Sequence, residues 1–290
     1  MSSDQQRLEV WGSPIAHSKS PLLHRAAYQV LGVPWTYDRR EVTEEHFGAE
    51  FSGLEGPWRG LSLTMPLKEV ALERIGDHRG LVDTLGAANT AVRGEKGWWL
   101  EATDPFGAGA LLRDLEAERE ERVWVLGGGA TARSILAALP FFAPASVTLV
   151  VRNIERAQRT RDVADRVGLP IRVVAVSNLA EADAPTLVVS TIPGSDLPPF
   201  ELSDEVIDGS RYADVAYHPW PTALARRWLD RGRPVESGLT MLIFQAVAQV
   251  RAFVQGDISR ALDRERDIVR AMASAVGEDP DRMVSLAVEE

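Results

Sequence analysis

Residues 123–132 read Val-Trp-Val-Leu-Gly-Gly-Gly-Ala-Thr-Ala, and this stretch decides the fold. The four apolar residues at its start predict a buried strand, and the segment after them matches the pattern G-x-G-x-x-A. In such a turn Gly127 permits the sharp bend, Gly129 lets the backbone approach a pyrophosphate, and the small Ala132 allows a helix to pack closely on the strand. A strand, a glycine turn and a helix N-terminus in this order predict a dinucleotide-binding site. The alternative is a plain tight turn of an α/β domain.

The end of the next predicted strand indicates which dinucleotide is bound. A site selective for NAD usually has Asp or Glu there, about twenty residues after the turn, to bind the ribose hydroxyls. This chain has Arg152 at that position and Arg156 four residues later. An arginine can bind the 2′-phosphate of NADP in a bidentate manner, so we expect NADP. The alternative is that both are solvated arginines in an arginine-rich chain.

Further strands and helices alternate on both sides of this turn, which is typical of an α/β fold with two domains. Downstream of the turn the pattern predicts a doubly wound sheet. Apolar residues near the C-terminus recur with a helical period. We predict strands over 8–11, 35–39, 60–63, 88–93, 122–126, 146–151, 171–176, 186–190 and 212–215, and helices from Ser20 up to Gly32 and over 44–51, 67–75, 107–117, 155–167, 239–256 and 258–276.

Composition excludes several classes of protein. The 290 residues, 45% of them hydrophobic, suffice for two compact domains. The absence of cysteine excludes disulfides, thiolate metal sites and cysteine nucleophiles. A net charge of −10 disfavours a nucleic-acid partner, and the five histidines lack the spacing of a metal site. Because the N-terminal segment has neither a basic start nor an apolar stretch, we expect a cytoplasmic protein without a membrane segment.

Lysine is scarce in this chain, with three lysines (Lys19, Lys68 and Lys96) against 29 arginines. A desolvated lysine gives up its proton far more readily than arginine does, so a remaining lysine can mark a position that arginine cannot serve. The alternative for Lys68 is an ordinary surface lysine in the first turn of a helix.

Two other segments contain clusters of residues that the fold alone does not explain. Residues 12–24 read Gly-Ser-Pro-Ile-Ala-His-Ser-Lys-Ser-Pro-Leu-Leu-His, and residues 62–68 read Ser-Leu-Thr-Met-Pro-Leu-Lys. The first places the hydroxyls of Ser18 and Ser20 at the start of a predicted helix, where they and the free backbone N–H groups can bind a carboxylate. The alternative is that Ser20 is only the N-cap of that helix.

These segments, in this order, resemble the shikimate dehydrogenase family, whose pattern includes G-x-P-I-x-H-S-x-S-P and V-T-x-P-x-K. The similarity continues along the chain and covers most of it. The further matching segments are Gly86-Ala87-Ala88-Asn89-Thr90, Thr103-Asp104, residues 127–133, Arg152 with Arg156-Ala157, Tyr217-x-Pro219 with Thr222-x-Leu224, and Met241-Leu242-x-x-Gln245-Ala246.

The resemblance implies a role for each matching residue. Lys68 and Asp104 flank the reacting C3 oxygen, and a lysine and an aspartate held together form a plausible proton-transfer pair. Ser18 and Ser20 bind the substrate carboxylate. The other implied roles are substrate binding by Thr64, Asn89, Tyr217 and Gln245, and cofactor binding by Gly127, Gly128, Gly129, Ala130, Arg152, Arg156, Thr191 and Met241.

These roles also set the expected domain boundaries. Residues 1–104 form an α/β substrate-binding domain, and residues 105–238 form a Rossmann-like, doubly wound NADP-binding domain. Residues 239–290 form C-terminal helices that pack back on the substrate domain, since Gln245 has to reach substrate bound there. The expected assembly is a monomer or a homodimer.

A few positions depart from the family pattern. Ser62 and Ala102 each stand where the family usually has Asn, and Pro105 stands where a glycine commonly follows the aspartate. Ser62 still offers a hydroxyl, whereas Ala102 removes a polar group beside Asp104. These departures bear on substrate affinity more than on the type of reaction.

The activity that the resemblance implies is the reduction of 3-dehydroshikimate to shikimate with NADPH, a step of chorismate and aromatic amino-acid biosynthesis. NADPH supplies the hydride, and Lys68, aided by Asp104, supplies a proton. Two alternatives stay open. The hydroxyl of Ser20 and the cation of Arg152 count against an NAD-dependent quinate/shikimate dehydrogenase, and the presence of Lys68 and Asp104 counts against a non-catalytic sensor of a shikimate-like ligand.

Overall fold

The computed structural model of the protein describes residues 5–117, 121–193 and 200–287. The strands are β1 (Arg7–Gly12), β2 (Thr36–Glu41), β3 (Trp58–Leu63), β4 (Asp77–His78), β5 (Thr90–Gly94), β6 (Gly97–Glu101), β7 (Arg122–Leu126), β8 (Ser146–Val151), β9 (Arg172–Ala175), β10 (Leu187–Ser190), β11 (Arg211–Asp214) and β12 (Val235–Glu236). The α-helices are α1 (Ser20–Leu31), α2 (Glu44–Ser52), α3 (Leu67–Val70), α4 (Val82–Leu85), α5 (Asp104–Asp114), α6 (Ala130–Ala138), α7 (Gln158–Arg166), α8 (Asp204–Gly209), α9 (Ala223–Leu229), α10 (Leu239–Gln255), α11 (Glu265–Val276) and α12 (Pro280–Leu286). Short 3₁₀ helices cover Ala71–Glu73, Leu139–Phe142, Glu155–Ala157 and Val176–Glu181.

The chain divides into two compact units, one made of Met1–Gly107 with Leu242–Glu290 and the other of Ala108–Met241. The sequence predicts boundaries at residues 104 and 238, whereas the division by contacts lies at 107 and 241. The first unit is discontinuous in sequence because the C-terminal helices complete it. This return of the C-terminal helices to the first domain is part of the predicted fold.

The first unit is built on a six-stranded mixed sheet in the order β2-β1-β3-β5-β6-β4. Strand β1 runs parallel to β2 and β3, while β5 runs antiparallel to β3 and β6. Because β1 and β3 are parallel neighbours, their carboxyl ends meet at one edge of the sheet. The segments that leave this edge, beginning at Ser13 and Thr64, contain Ser18 and Lys68 respectively.

The helices of the first unit cover the sheet with apolar side chains. Helix α1 has Pro21 in its first turn and ends at Gly32, which adopts a left-handed φ of 66°. It packs against α11. The ring of Phe253 in α10 lies against Gly60 of β3, where an added Cβ would lie 2.3 Å from a ring carbon. Gly60 therefore allows α10 to approach the sheet closely.

The second unit is a parallel sheet in the order β9-β8-β7-β10-β11-β12. Numbered within the unit, this is the 3-2-1-4-5-6 order of the Rossmann fold. The order reverses between β7 and β10, and ligands of such sheets bind beyond the carboxyl ends of the strands at this switch point. The predicted strand bounds at β7 and β8 agree with the observed ones.

Two predicted helices begin at the wrong residue. Helix α5 begins at Asp104 rather than at 107, because Asp104 and Pro105 suit the first turn of a helix. The segment predicted as helix from 258 instead turns, since the Asp257 carboxylate accepts hydrogen bonds from the backbone and hydroxyl of Ser259. Helix α11 starts only at Glu265, after Arg264 in a left-handed conformation (φ 61°).

Among the helices that the structure describes, none combines the length and apolar character needed to cross a bilayer. Within the same described ranges, the side chains of His, Asp and Glu form no group of three or more that suits a metal ion.

Candidate active site

A lysine and an aspartate meet in the first unit. The ammonium Nζ of Lys68 donates to the carboxylate Oδ2 of Asp104 at 2.5 Å. Lys68 lies in the first turn of α3, and Asp104 opens α5. Their side chains are 17% and 12% exposed, which shields the pair from bulk water while leaving it reachable by a small molecule. The pair has the geometry that proton transfer requires.

Asn89 holds the other side of this carboxylate. Its side-chain Nδ2 donates to Oδ1 of Asp104 at 2.8 Å, and its Oδ1 accepts from the backbone N–H of Thr103 at 2.7 Å. Asn89 and Thr103 are both buried. Both carboxylate oxygens of Asp104 therefore have fixed donors, which keeps the group in one orientation.

Gln245 of α10 joins the same cluster. Its Oε1 accepts from Nδ2 of Asn89 at 3.1 Å, and its Nε2 donates to the carbonyl of Leu242 at 2.8 Å. Thr64 lies directly after β3, where its backbone N–H donates to the carbonyl of Trp11 at 2.9 Å. The structure thus brings four of the predicted residues, Lys68, Asp104, Asn89 and Gln245, into one cluster of contacts.

The two predicted carboxylate-binding hydroxyls lie at the start of α1. Lys19 is the N-cap and Ser20 is the first helical residue, so the N-cap alternative for Ser20 is wrong. The Ser18 hydroxyl oxygen accepts from the backbone N–H of Ser20 at 3.3 Å, which leaves the hydroxyl hydrogen available for a ligand. The guanidinium of Arg39 donates to the carbonyls of Ala16 and Ser18 and so fixes this loop.

His24 is fully buried, and its ring is enclosed by aromatic and amide side chains. Its ring stacks on the ring of Tyr37 with centroids 4.0 Å apart. Nδ1 lies 3.2 Å from the Tyr28 hydroxyl and Nε2 lies 3.1 Å from Oε1 of Gln249. Burial lowers the pKa of His24 from 6.5 to about 3, although the bond to Gln249 works in the opposite direction. The ring is therefore neutral at physiological pH.

This shift predicts an acid-sensitive stability. Between about pH 6.5 and pH 3 the unfolded chain binds a proton at His24 that the folded chain excludes, so the stabilisation present above pH 6.5 is lost as the pH falls. From pH 7 to pH 5 the loss from this group is about 2 kcal/mol. Urea unfolding at both pH values should show that a His24→Gln variant lacks this part of the pH dependence.

The exposed His46 provides the matched control. A His46→Gln variant should follow the wild-type pH dependence of unfolding. An equal pH dependence in the His24→Gln variant and the wild type would contradict the prediction.

The glycine turn of the second unit lies at the switch point of its sheet. Gly127 has a left-handed φ of 103°, and an added Cβ there would lie 2.5 Å from the Thr191 hydroxyl. The Thr191 hydroxyl donates to the carbonyl of Leu126 at 2.8 Å, which links the ends of β7 and β10. An added Cβ at Gly129 would meet nothing within 4 Å, so the backbone before α6 is open on that side. This geometry fits a pyrophosphate at the helix N-terminus.

The two arginines proposed for the 2′-phosphate follow β8. Arg152 and Arg156 are both exposed, and the Asn153 side chain accepts from the backbone N–H of Arg156 at 3.1 Å. The Thr160 hydroxyl in α7 donates to the carbonyl of Gly128 at 2.8 Å. This bond connects the helix that follows the arginines to the glycine turn.

Two further predicted site residues, Tyr217 and Met241, lie in the second unit, the first half-buried and the second buried. Tyr217 is half-buried in the segment after β11, and this segment is anchored by Asp214, which accepts from the Thr222 hydroxyl at 2.8 Å and from the backbone N–H of Ala216 at 3.0 Å. Burial raises the pKa of the Asp214 carboxyl. Met241 packs in the hydrophobic core of the unit.

Sequence reasoning assigned no role to several residues that support the site. Arg39 holds Ser18 at its backbone carbonyl, and the backbone N–H of Thr103 holds the side chain of Asn89. The spacing of residues in the sequence does not predict either contact. Asp214 and Thr160 act on loops in the same way. Thr103 belongs to the matching segment Thr103-Asp104, but the resemblance implies no role for it, and no motif contains Arg39.

The strand order and the glycine turn define the class of the second unit, the dinucleotide-binding α/β folds. A family model for the shikimate dehydrogenase substrate binding domain matches residues 10–91. The chain is 33% identical to the NADP(+) shikimate dehydrogenase of Methanosarcina mazei over 85% of its own length and 92% of that protein. It therefore belongs to the shikimate dehydrogenase family, as the resemblance predicts.

Further relatives agree with this assignment. The NADP(+) shikimate dehydrogenase of Dinoroseobacter shibae is 35% identical over 82% of this chain and 87% of that protein. The crystal structure of Mycobacterium tuberculosis shikimate dehydrogenase has a TM-score of 0.77 and 36% identity, covering 93% of this chain and 99% of that one.

Proposed function

We propose that this chain is an NADP-dependent dehydrogenase that reduces 3-dehydroshikimate to shikimate. The observation that carries the proposal is the 2.5 Å contact between Lys68 and Asp104, with Asn89 bonded to the same carboxylate. The relatives named above are NADP(+) shikimate dehydrogenases, which supports the same activity here.

The residues at the switch point fit a bound NADP. Gly127 and Gly129 would face the pyrophosphate, with Gly128 and Ala130 beside them at the start of α6. Arg152 and Arg156 would bind the 2′-phosphate. Thr191 and Met241 are also proposed to bind the cofactor. When bound, NADPH supplies the hydride that reduces the carbonyl.

The side chains of the first unit would handle the substrate and the proton. Ser18 and Ser20 would bind the carboxylate, with Thr64 and Gln245 contributing further polar contacts. Tyr217, which belongs to the second unit, keeps its predicted role in substrate binding. Lys68 would donate a proton to the oxygen at C3 as this oxygen gains negative charge. Asp104 keeps the ammonium oriented, since one of its oxygens accepts from Lys68 and the other from Asn89.

The proposed partners are small molecules only, with the enzyme acting in the cytoplasm as a monomer or a homodimer. The domain roles follow the same proposal, with substrate bound by the first unit and NADP by the second.

An absorbance assay at the NADPH band tests the proposal most directly. Purified protein is mixed with NADPH and 3-dehydroshikimate, and the reverse reaction is followed with NADP⁺ and shikimate. Quinate with NAD⁺ is the comparison. Turnover of shikimate far above quinate is expected, equal turnover would favour a quinate/shikimate dehydrogenase, and binding without turnover would favour a sensor.

Cofactor preference gives a prediction about Arg152. Replacing Arg152 by Ala removes a charge-assisted contact to the 2′-phosphate, so NADP⁺ should bind roughly ten- to a hundredfold more weakly. NAD⁺ lacks that phosphate, and its affinity should change by less than about twofold. Titration calorimetry with each dinucleotide measures both effects.

Arg172 offers a matched control, since it is also exposed but lies at the amino end of β9, opposite the switch point edge. An Arg172→Ala variant should bind both dinucleotides like the wild type. Equal losses for NADP⁺ and NAD⁺ in the Arg152→Ala variant would refute the assignment.

A further inference from the structure

The side chain of Gln249 is buried in α10 and uses all of its hydrogen-bonding capacity. Its Nε2 donates to the carbonyl of Asn89 at 2.9 Å and to the Thr90 hydroxyl at 3.1 Å. Its Oε1 accepts from the Ser62 hydroxyl at 2.8 Å and lies 3.1 Å from Nε2 of His24. An amide has two donor hydrogens and two acceptor sites, so each is engaged.

The chemistry of the partners fixes the direction of every bond. A backbone carbonyl can only accept, so Nε2 of Gln249 has to face Asn89 and Oε1 has to face Ser62 and His24. His24 therefore carries its hydrogen on Nε2, and its Nδ1 accepts from the Tyr28 hydroxyl. The Ser62 hydroxyl gives its hydrogen to Gln249, and its oxygen accepts from the Tyr37 hydroxyl at 2.6 Å.

The hydrogen bonds that Gln249 donates connect it, through Asn89, to the carboxylate of Asp104. The Thr90 hydroxyl that accepts from Gln249 donates in turn to Oδ1 of Asn89 at 3.1 Å. Gln249 therefore fixes Asn89 twice, at the backbone carbonyl and through the side-chain oxygen. Nδ2 of Asn89 then donates to Asp104, which accepts from Lys68.

We propose that Gln249 is a positioning residue for the reaction, which holds Asn89, and through it Asp104 and Lys68, in the orientation needed for proton transfer. This inference rests on the proposed function. Gln249 itself is 1% exposed and touches the carboxylate only through Asn89, so it acts on the pair and not on the substrate. None of the sequence motifs above includes Gln249.

A positioning role predicts a particular kinetic signature. Replacing Gln249 by Met keeps a similar length but removes both donor bonds, to the Asn89 carbonyl and to the Thr90 hydroxyl. Asn89 keeps its bond from the backbone of Thr103 but is held less firmly toward Asp104. A misplaced acid slows the chemical step, and kcat should fall about ten- to a hundredfold. The KM for shikimate and the Kd for NADP⁺ should change by less than about threefold, because contacts made equally in the ground and transition states remain.

The primary deuterium isotope effect on kcat separates positioning from a loss of folded protein. With shikimate deuterated at C3, the isotope effect should rise in the Gln249→Met variant because the chemical step becomes more rate-limiting. A Met283→Ala variant is the matched control. Met283 is fully buried in α12, so its loss should lower the melting temperature while kcat per folded enzyme and the isotope effect stay at wild-type values.

A Thr90→Val variant removes the hydroxyl that links Gln249 to the side-chain oxygen of Asn89. It is the test to use if Gln249→Met does not fold. It should show the same fall in kcat and rise in the isotope effect, and the double variant should be little worse than either single one. Wild-type kcat and isotope effect in folded Gln249→Met, or in Thr90→Val if only this one folds, would overturn the proposal. A wild-type protein that fails to oxidise shikimate with NADP⁺ would instead refute the proposed function.

Discussion

Replacing Lys68 by Met is expected to lower kcat for shikimate oxidation by about two to four orders of magnitude, the usual contribution of general acid–base catalysis. Methionine fills most of the space of the lysine side chain but cannot donate or accept the proton. The KM for shikimate should change much less, because the carboxylate contacts proposed for Ser18 and Ser20 remain. Steady-state kinetics of the folded variant measures both constants.

A Lys68→Arg variant is the control for charge. Arginine keeps the positive charge beside Asp104 but does not cycle its proton, so it should not restore the rate. A Lys68→Met enzyme that binds shikimate and keeps near wild-type kcat would show that Lys68 is an ordinary surface lysine.

Replacing Asp104 by Asn should cause a loss of similar size. The carboxylate accepts from Nδ2 of Asn89 with one oxygen and from Nζ of Lys68 with the other. An amide has one oxygen and one NH₂ group, so in either orientation it turns a donor toward another donor. We expect kcat to fall about a hundredfold or more, measured by the same assay.

The double variant Lys68→Met with Asp104→Asn decides whether the two residues act as a unit. Residues that share one proton-transfer step are not additive, so the double variant should be little slower than the slower single variant. Losses that multiply would mean that the two residues act in separate steps.

Much of the second unit follows from its sequence alone. The apolar run before Gly127 is short and lies between charged residues on one side and glycines on the other, so the ends of β7 agree with the prediction. The tight turn needs a residue without a side chain, and the glycine at position 127 meets this requirement in the sequence itself. Strand β12, by contrast, has only two residues and is defined by its pairing with β11. No local pattern in the sequence predicts so short a strand.

The first unit is harder to predict because its contacts join distant parts of the chain. Asn89 and Gln245 are 156 residues apart, and only the family resemblance assigned them to one site. Gln249 lies in a helix predicted from its apolar period, and a glutamine between the apolar positions of such a helix is expected to face solvent. Its burial depends on partners at residues 24, 62 and 89 that local periodicity cannot indicate.

The close approach of α10 to β3 affects the order in which the protein is assembled during synthesis. Phe253 covers Gly60, and Gln249 bonds to Ser62, so the sheet made by the first 107 residues lacks part of its packing until α10 has left the ribosome. Residues 108–241, in contrast, are contiguous and can fold as soon as they emerge. The nascent N-terminal segment therefore leaves the surface of β3 that faces α10 uncovered while residues 108–241 are translated.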